Sequence, residues 1–266
     1  MKLPEYPRVV FKKPPLALTL AQVRFMPRFA VLDPGRLAGF QEALGENFPD
    51  VKHEAQIAFN VSSQGIQSQQ QGAQLLRFTT KDELTSVVLS PDALTLEIRR
   101  FSTIEKLQAA FRKPLQALLE NFKPPKLTRI GLRFVNEFRH PKGDSLAGWK
   151  ALIRPEIIGL VGNEVLSDWV HESLQQIVMG GEDHTTILRH GFLPGGSTVP
   201  GPEIDQESQG SFYLLDLDSF RLQESDPNVD LVLTKINEFN SELYRLFRWS
   251  MTDAMYEYCE PIDAKS

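Results

Sequence analysis

Residues 15–44 and 124–153 carry nearly the same phrase, "VRFMPRFAVLDPGRLAGFQEAL" closing the first and "LRFVNEFRHPKGDSLAGWKALI" the second. Aligned without a gap at an offset of 109, they share Pro15/Pro124, Leu18/Leu127, Thr19/Thr128, Arg24/Arg133, Phe25/Phe134, Phe29/Phe138, Leu37/Leu146, Ala38/Ala147 and Gly39/Gly148. Val23/Leu132, Phe40/Trp149 and Leu44/Ile153 extend the match conservatively. Internal similarity constrains architecture before any local reading does. Two copies predict a pair of related halves and not a solenoid.

Each copy reads as strand, turn, helix. In "PLALTLAQVRF" apolar residues occupy both alternating faces, which suits a strand covered on each side. Asp33 before Pro34 has the form of an N-cap followed by proline at the first helical position. Leu37, Phe40, Leu44 and Phe48 then recur at helical spacing. In the second copy Asp144 or Ser145 supplies the cap, and Leu146, Trp149, Leu152 and Ile153 supply the stripe.

The remainder of the first half alternates in "QIAFNVS", crosses the polar tract "SSQGIQSQQQGAQ", which reads as a flexible loop, and continues through "QLLRFTT", "LTSVVLS" and "ALTLEIRR" as strands. "SPDA" is a turn sequence. Leu107, Phe111, Leu115, Leu118 and Phe122 mark a long amphipathic helix in which Pro114 predicts a kink or a new start. In the second half "ESLQQIVM", "HTTILRHGFL" and "GSFYLLDLDSFRL" read as strands, "LPGGSTVPGPEIDQESQG" as a surface loop, and Val232, Ile236, Phe239, Leu243, Leu246 and Phe247 as the buried stripe of a closing helix. The expected fold class is α+β. Duplicated strand, helix, antiparallel meander and helix units, 1–122 and 123–266, form a pseudo-twofold curved sheet with long helices packed on it.

Charge differs between these halves: 15 Lys and Arg against 12 Asp and Glu in residues 1–122, or +3, then 14 against 22, or −8. A dedicated nucleic-acid binder shows a clustered basic surface, so nucleic acid is not expected as a partner. The longest apolar runs fall far short of the ~20 residues needed to span a bilayer. "MKLPEYPRVVFKKPP" has no continuous apolar core of the signal-peptide kind. A cytoplasmic location with no membrane association is the expectation. The one cysteine, Cys259, precludes an intramolecular disulfide and reads as a buried or edge thiol.

"PPLALTLAQVRF", "RIGLRFVNEF", "FYLLDLDSF" and "ELYRLFRWSMTDAMYE" together resemble a sporadically distributed family of bacterial proteins of about this length with no established function. The resemblance implies bacterial origin and a setting such as phage defence or a toxin-antitoxin locus. It brings no catalytic residues.

Familiar catalytic motifs are missing: there is no phosphate-binding Gly-Lys loop, no G-x-G-x-x-G after a strand and no G-x-S-x-G elbow. His184 and His190 would stand ~20 Å apart along a straight strand, too far for one metal ion, and His190 reads as a turn or edge residue. Asp216 and Asp218 alternate with leucines, which puts both carboxylates on one sheet face about 7 Å apart. Such a pair suits a divalent cation, an acid/base role, or ion pairs with arginine. Arg24 and Arg133 occupy equivalent positions inside otherwise apolar strands, and a charge there needs a partner. Asp216, Asp218, Glu97 and Glu137 are the candidates, with Asn136 beside them.

These observations favour a binding or regulatory module over an enzyme. It would hold a partner protein, a second copy of itself or an anionic small molecule between its halves, with Arg24, Arg133, Asn136 and Glu137 as ligand residues and no cofactor. The alternative is a metal-dependent hydrolase or nuclease using Asp216 and Asp218.

Overall fold

The computed structural model describes residues 3–55, 58–62, 65–69, 74–143, 145–163, 165–166, 169–180, 183–195 and 210–263. Its strands are β1 (Val9–Phe11), β2 (Leu16–Phe25), β3 (Asp50–Ala55), β4 (Ala58–Ser62), β5 (Gly65–Gln69), β6 (Gln74–Thr79), β7 (Thr85–Ser90), β8 (Ala93–Ile98), β9 (Leu127–Phe138), β10 (Gln175–Gly180), β11 (Thr185–Leu193), β12 (Phe212–Arg221) and β13 (Pro261–Asp263). The helices are α1 (Pro34–Leu44), α2 (Ile104–Phe122), α3 (Leu146–Trp149), α4 (Pro155–Ile158), α5 (Val229–Ser250) and α6 (Asp253–Tyr258). This is a mixed α+β fold with a large antiparallel sheet and several helices. No helix among the described residues is long and apolar enough to cross a membrane.

The chain divides into two compact units, and it passes between them inside β2, β9 and α5. The first unit takes Met1–Thr19, Leu132–Arg221 and Asn237–Ser266. Its strands lie in the order β10, β11, β12, β9, β2. Antiparallel register sets Arg189 opposite Asp216 and Ile187 opposite Asp218. The second unit takes Leu20–Gly131 and Leu222–Ile236, with strand order β9, β2, β8, β7, β6, β3.

The second unit is built much as its sequence pattern dictates. Asp33 accepts a hydrogen bond from the Arg36 N–H at 2.9 Å and starts α1. Phe40 and Leu44 are buried. The helix ends at Leu44, so Phe48 reaches the core from the turn beyond it. Phe40 packs on Phe78 of β6 and Phe122 of α2, with ring centroids 5.4 and 5.5 Å apart. Pro114 neither stops nor restarts α2, which runs unbroken through it with the ring buried. Part of the tract expected as a loop is strand: β5 pairs antiparallel with β4. Alternation in that stretch is weak because most of its side chains are polar, but backbone pairing does not require apolar alternation. Ile57, and most of the loop expected before β12, lie outside the described residues.

α5 carries the predicted stripe, and all six of its apolar residues are buried, Val232 and Ile236 in the second unit and Phe239, Leu243, Leu246 and Phe247 in the first. Glu242 on α5 bonds His184 Nε2 at 2.7 Å, and Phe247 stacks on Phe138 of β9 at 5.9 Å. The stripe Leu146, Trp149, Leu152 and Ile153 is buried too, yet α3 covers only its first turn. Arg154 precedes Pro155, which disfavours helical backbone, and Arg154 is extended accordingly. Ile153 bridges Met251 instead. Asp144 lies outside the described residues, while Ser145 stands at the N-cap without a side-chain hydrogen bond.

β1 pairs with β13 antiparallel, tying the two chain ends together. Lys13 reinforces this through Glu260 at 2.6 Å, and both groups are well exposed.

The repeated glycine pair has a steric cause in each unit. A Cβ at Gly148 would stand 1.7 Å from the backbone oxygen of Lys142, whereas at Gly39 it would meet the side-chain oxygen of Asn121 at 2.6 Å. The amide of Asn121 can rotate away; a backbone carbonyl cannot. Gly148→Ala is expected to cost about 3 kcal/mol and Gly39→Ala about 1 kcal/mol or less, measured by urea unfolding.

Candidate functional site

Asp216 is the one carboxylate among the buried polar groups of the described residues. It sits in the middle of β12 with apolar neighbours on both sides in sequence, and its side chain has 0% exposure. Burial of a lone carboxylate is costly, so the charge must be matched. Arg133 on β9 matches it: Nε donates to Oδ1 and Nη2 to Oδ2, both at 2.7 Å, in a two-pronged arrangement. Arg189 on β11 adds Nη1 to Oδ2 at 3.2 Å. The arginines are 18% and 27% exposed, so one sealed carboxylate orients two guanidinium groups that still meet solvent.

Burial lowers the Arg133 pKa, but the hydrogen bonds and charge of Asp216 outweigh it and hold the guanidinium above its usual value. Arg189 Nε donates to Gln176 Oε1 on β10 at 2.8 Å. This chain of bonds therefore runs from β9 through β12 and β11 to β10.

The other predicted site residues lie as follows. Asp218 is half-buried on the same face as Asp216 and contributes to holding the Arg133 charge. Asn136 is buried and donates through Nδ2 to the Leu215 carbonyl at 2.9 Å. Glu137 accepts from Arg139 at 2.7 Å. Arg24 is exposed on β2 in the second unit. Glu97 pairs with Arg77, which also holds Glu54 at 2.7 Å. Among the described residues no three His, Cys, Asp or Glu side chains are grouped to hold a metal ion.

His190 is not a turn or edge residue. It lies within β11 at 0% exposure, with Nδ1 2.9 Å from the Tyr213 hydroxyl and Nε2 buried without a hydrogen-bond partner in the structure. Every other residue of β11 faces the helix side, and that alternation buries Thr186, Leu188 and His190 together. Burial pushes the imidazole down to about 4 and the Tyr213 phenol up. Cys259 is buried as expected, and burial pushes its thiol up to about 11, far from a reactive thiolate.

Sequence reading missed two features. Arg189 completes the carboxylate cluster, and the signal was its place on the Ile187 face of β11, opposite Asp216. The other is an apolar segment left in solvent: Val165, Trp169 and Leu174 are 78%, 81% and 50% exposed. Just before Leu174 it is anchored by Ser173, which bonds Phe192 of β11 in both directions, N–H to carbonyl at 2.8 Å and Oγ from N–H at 3.1 Å.

The chain matches no protein-family model, no curated protein and no solved structure. The family resemblance, the bacterial origin and the defence setting thus rest on the sequence motifs alone.

Two tests follow from this geometry. Asp216→Ala strands Arg133 beside buried apolar surface and is expected to cost ~3–5 kcal/mol, while Arg133→Met with Asp216→Leu regains most of it, read by urea unfolding. His190 binds protons more readily unfolded, near its ordinary value, than folded at about 4. Stability is therefore full above about pH 6.5 and falls as pH drops toward 4, by up to ~3 kcal/mol. His190→Gln removes that part of the slope in unfolding curves taken at pH 7 and pH 4.5.

Proposed function

We propose that the protein is a binding protein that engages a partner protein through its first unit and carries out no reaction of its own. The observation that carries this reading is the exposed apolar segment that contains Val165, Trp169 and Leu174. Exposed apolar patches mark interaction surfaces, and tryptophan is among the residues that carry most of the binding energy there. Arg133 and Arg189 already spend hydrogen bonds on Asp216 and Gln176, which favours a protein ligand over a small anion. Asp216 is enclosed by guanidinium groups, which favours binding over metal-assisted hydrolysis with Asp218.

The doubled phrase supports reading the chain as an internal duplication with pseudo-twofold symmetry. The first copy spans β2 and α1, and the second spans β9 and α3. A cytoplasmic regulator in a bacterial defence or toxin-antitoxin setting fits the motif resemblance.

The test compares wild type with a Val165→Glu, Trp169→Glu variant in quantitative co-purification, followed by calorimetric titration of the purified partner. Both side chains are exposed, so the variant is expected to keep its unfolding midpoint while losing the partner more than about tenfold in affinity. The same protein retained equally by both forms overturns the reading.

A further inference from the structure

β10 ends the strand order of the first unit: β11 flanks it on one side, and no described strand flanks it on the other. Unpaired strand edges present rows of backbone donors and acceptors, and natural sheets usually guard them with charge, proline or bulges. β3, which among the described residues also has a strand neighbour on one side only, follows this rule, with Asp50, Lys52, His53 and Glu54 among its residues. β10 does not. Its residues are Gln175, Gln176, Ile177, Val178, Met179 and Gly180, with neither a charge nor a proline. Ile177 and Val178 point to opposite faces and are 44% and 61% exposed.

We propose that β10 pairs with β10 of a second copy of this chain, antiparallel and about a twofold axis, to extend the sheet. The occupant follows from the strand itself. A twofold axis perpendicular to a sheet keeps the same face up in both copies, so one residue must lie opposite its own equivalent. With Val178 as that residue, Ile177 falls opposite Met179 of the partner subunit, and Gln176 falls opposite Gly180 of the partner subunit. Every apolar side chain of β10 then meets an apolar one, no charge meets a like charge, and the backbone groups of both edges are satisfied together. A copy of β3 in the same arrangement, centred on Lys52, would place that ammonium group against itself. Isologous contacts of this kind close at two subunits and do not propagate.

This contact is centred on Val178 and read by self-association, whereas partner binding is read through Val165 and Trp169, so the two readings fail separately. Sedimentation velocity of the full chain is the test. Wild type is expected to dimerise in the micromolar range, at concentrations up to about 200 µM. Val178→Lys and Val178→Glu, each tested alone, are monomers because like charges stand opposite one another. An equimolar mixture of the two associates into a heterodimer, which only a self-opposed residue 178 produces and which also demonstrates that both variants are folded. A wild type that stays monomeric, variants that dimerise as wild type does, or a mixture that stays monomeric each overturn the proposal. A monomeric wild type leaves binding through Trp169 untouched.

Discussion

A carboxylate cut off from water keeps its charge only if opposite charge is brought to it, and Asp216 imposes that requirement on its whole unit. Arg133 must come from β9 with both prongs of its guanidinium aligned, and Arg189 must sit directly across the β11–β12 ladder. A slip of one residue in either pairing would turn the guanidinium group to the other face of the sheet. The cluster therefore specifies register as well as supplying bonds. Gln176 extends that specification to β10 by holding Arg189 from the other side.

This arrangement also decides what the unit can offer a ligand. Asp216 is bound to Arg133 and Arg189, and on the opposite face Glu242 of α5 reaches Thr186 while Leu188 and His190 are buried. His190 and Tyr213 make a neutral pair whose energetics depend on being dry. Among the side chains left outward-facing are apolar ones, Val165, Trp169 and Leu174 and then Ile177 and Val178 of β10. Recognition by such surfaces depends on desolvation and backbone pairing, which are the means by which proteins bind proteins.

Several elements were legible in the chain because local rules govern them. Asp33 before Pro34 starts α1, the β-branched run of "LTSVVLS" and the alternation of "ALTLEIRR" become β7 and β8, and the stripe from Val232 to Phe247 becomes the buried face of α5. Others were not. The stripe of the second copy looks helical through Ile153, but Pro155 diverts the backbone after one turn and the same side chains reach the core from irregular chain. Pro114 looked like an interruption, yet it sits inside α2. The tract before β6 looked like loop, yet β5 forms there by pairing with β4. Burial of His190 could not be read because histidine is equally at home at an edge and in a neutral interior.

By itself the sequence determined that the chain is α+β, that one phrase of it is written twice, and that Arg133, Asp216 and Asp218 would need company. Propensity, capping and alternation act over a few residues, so these conclusions need no knowledge of distant contacts. Only the tertiary structure decided which charges meet. Asp216 takes Arg133 and Arg189, while Glu97 takes Arg77 and Glu137 takes Arg139. Ion pairing between strands is set by register, and register is a property of backbones brought together from as far as 83 positions apart in sequence. The same is true of the exposed Trp169 and the bare edge of β10: composition says what they are made of, and only the folded chain says that nothing described covers them.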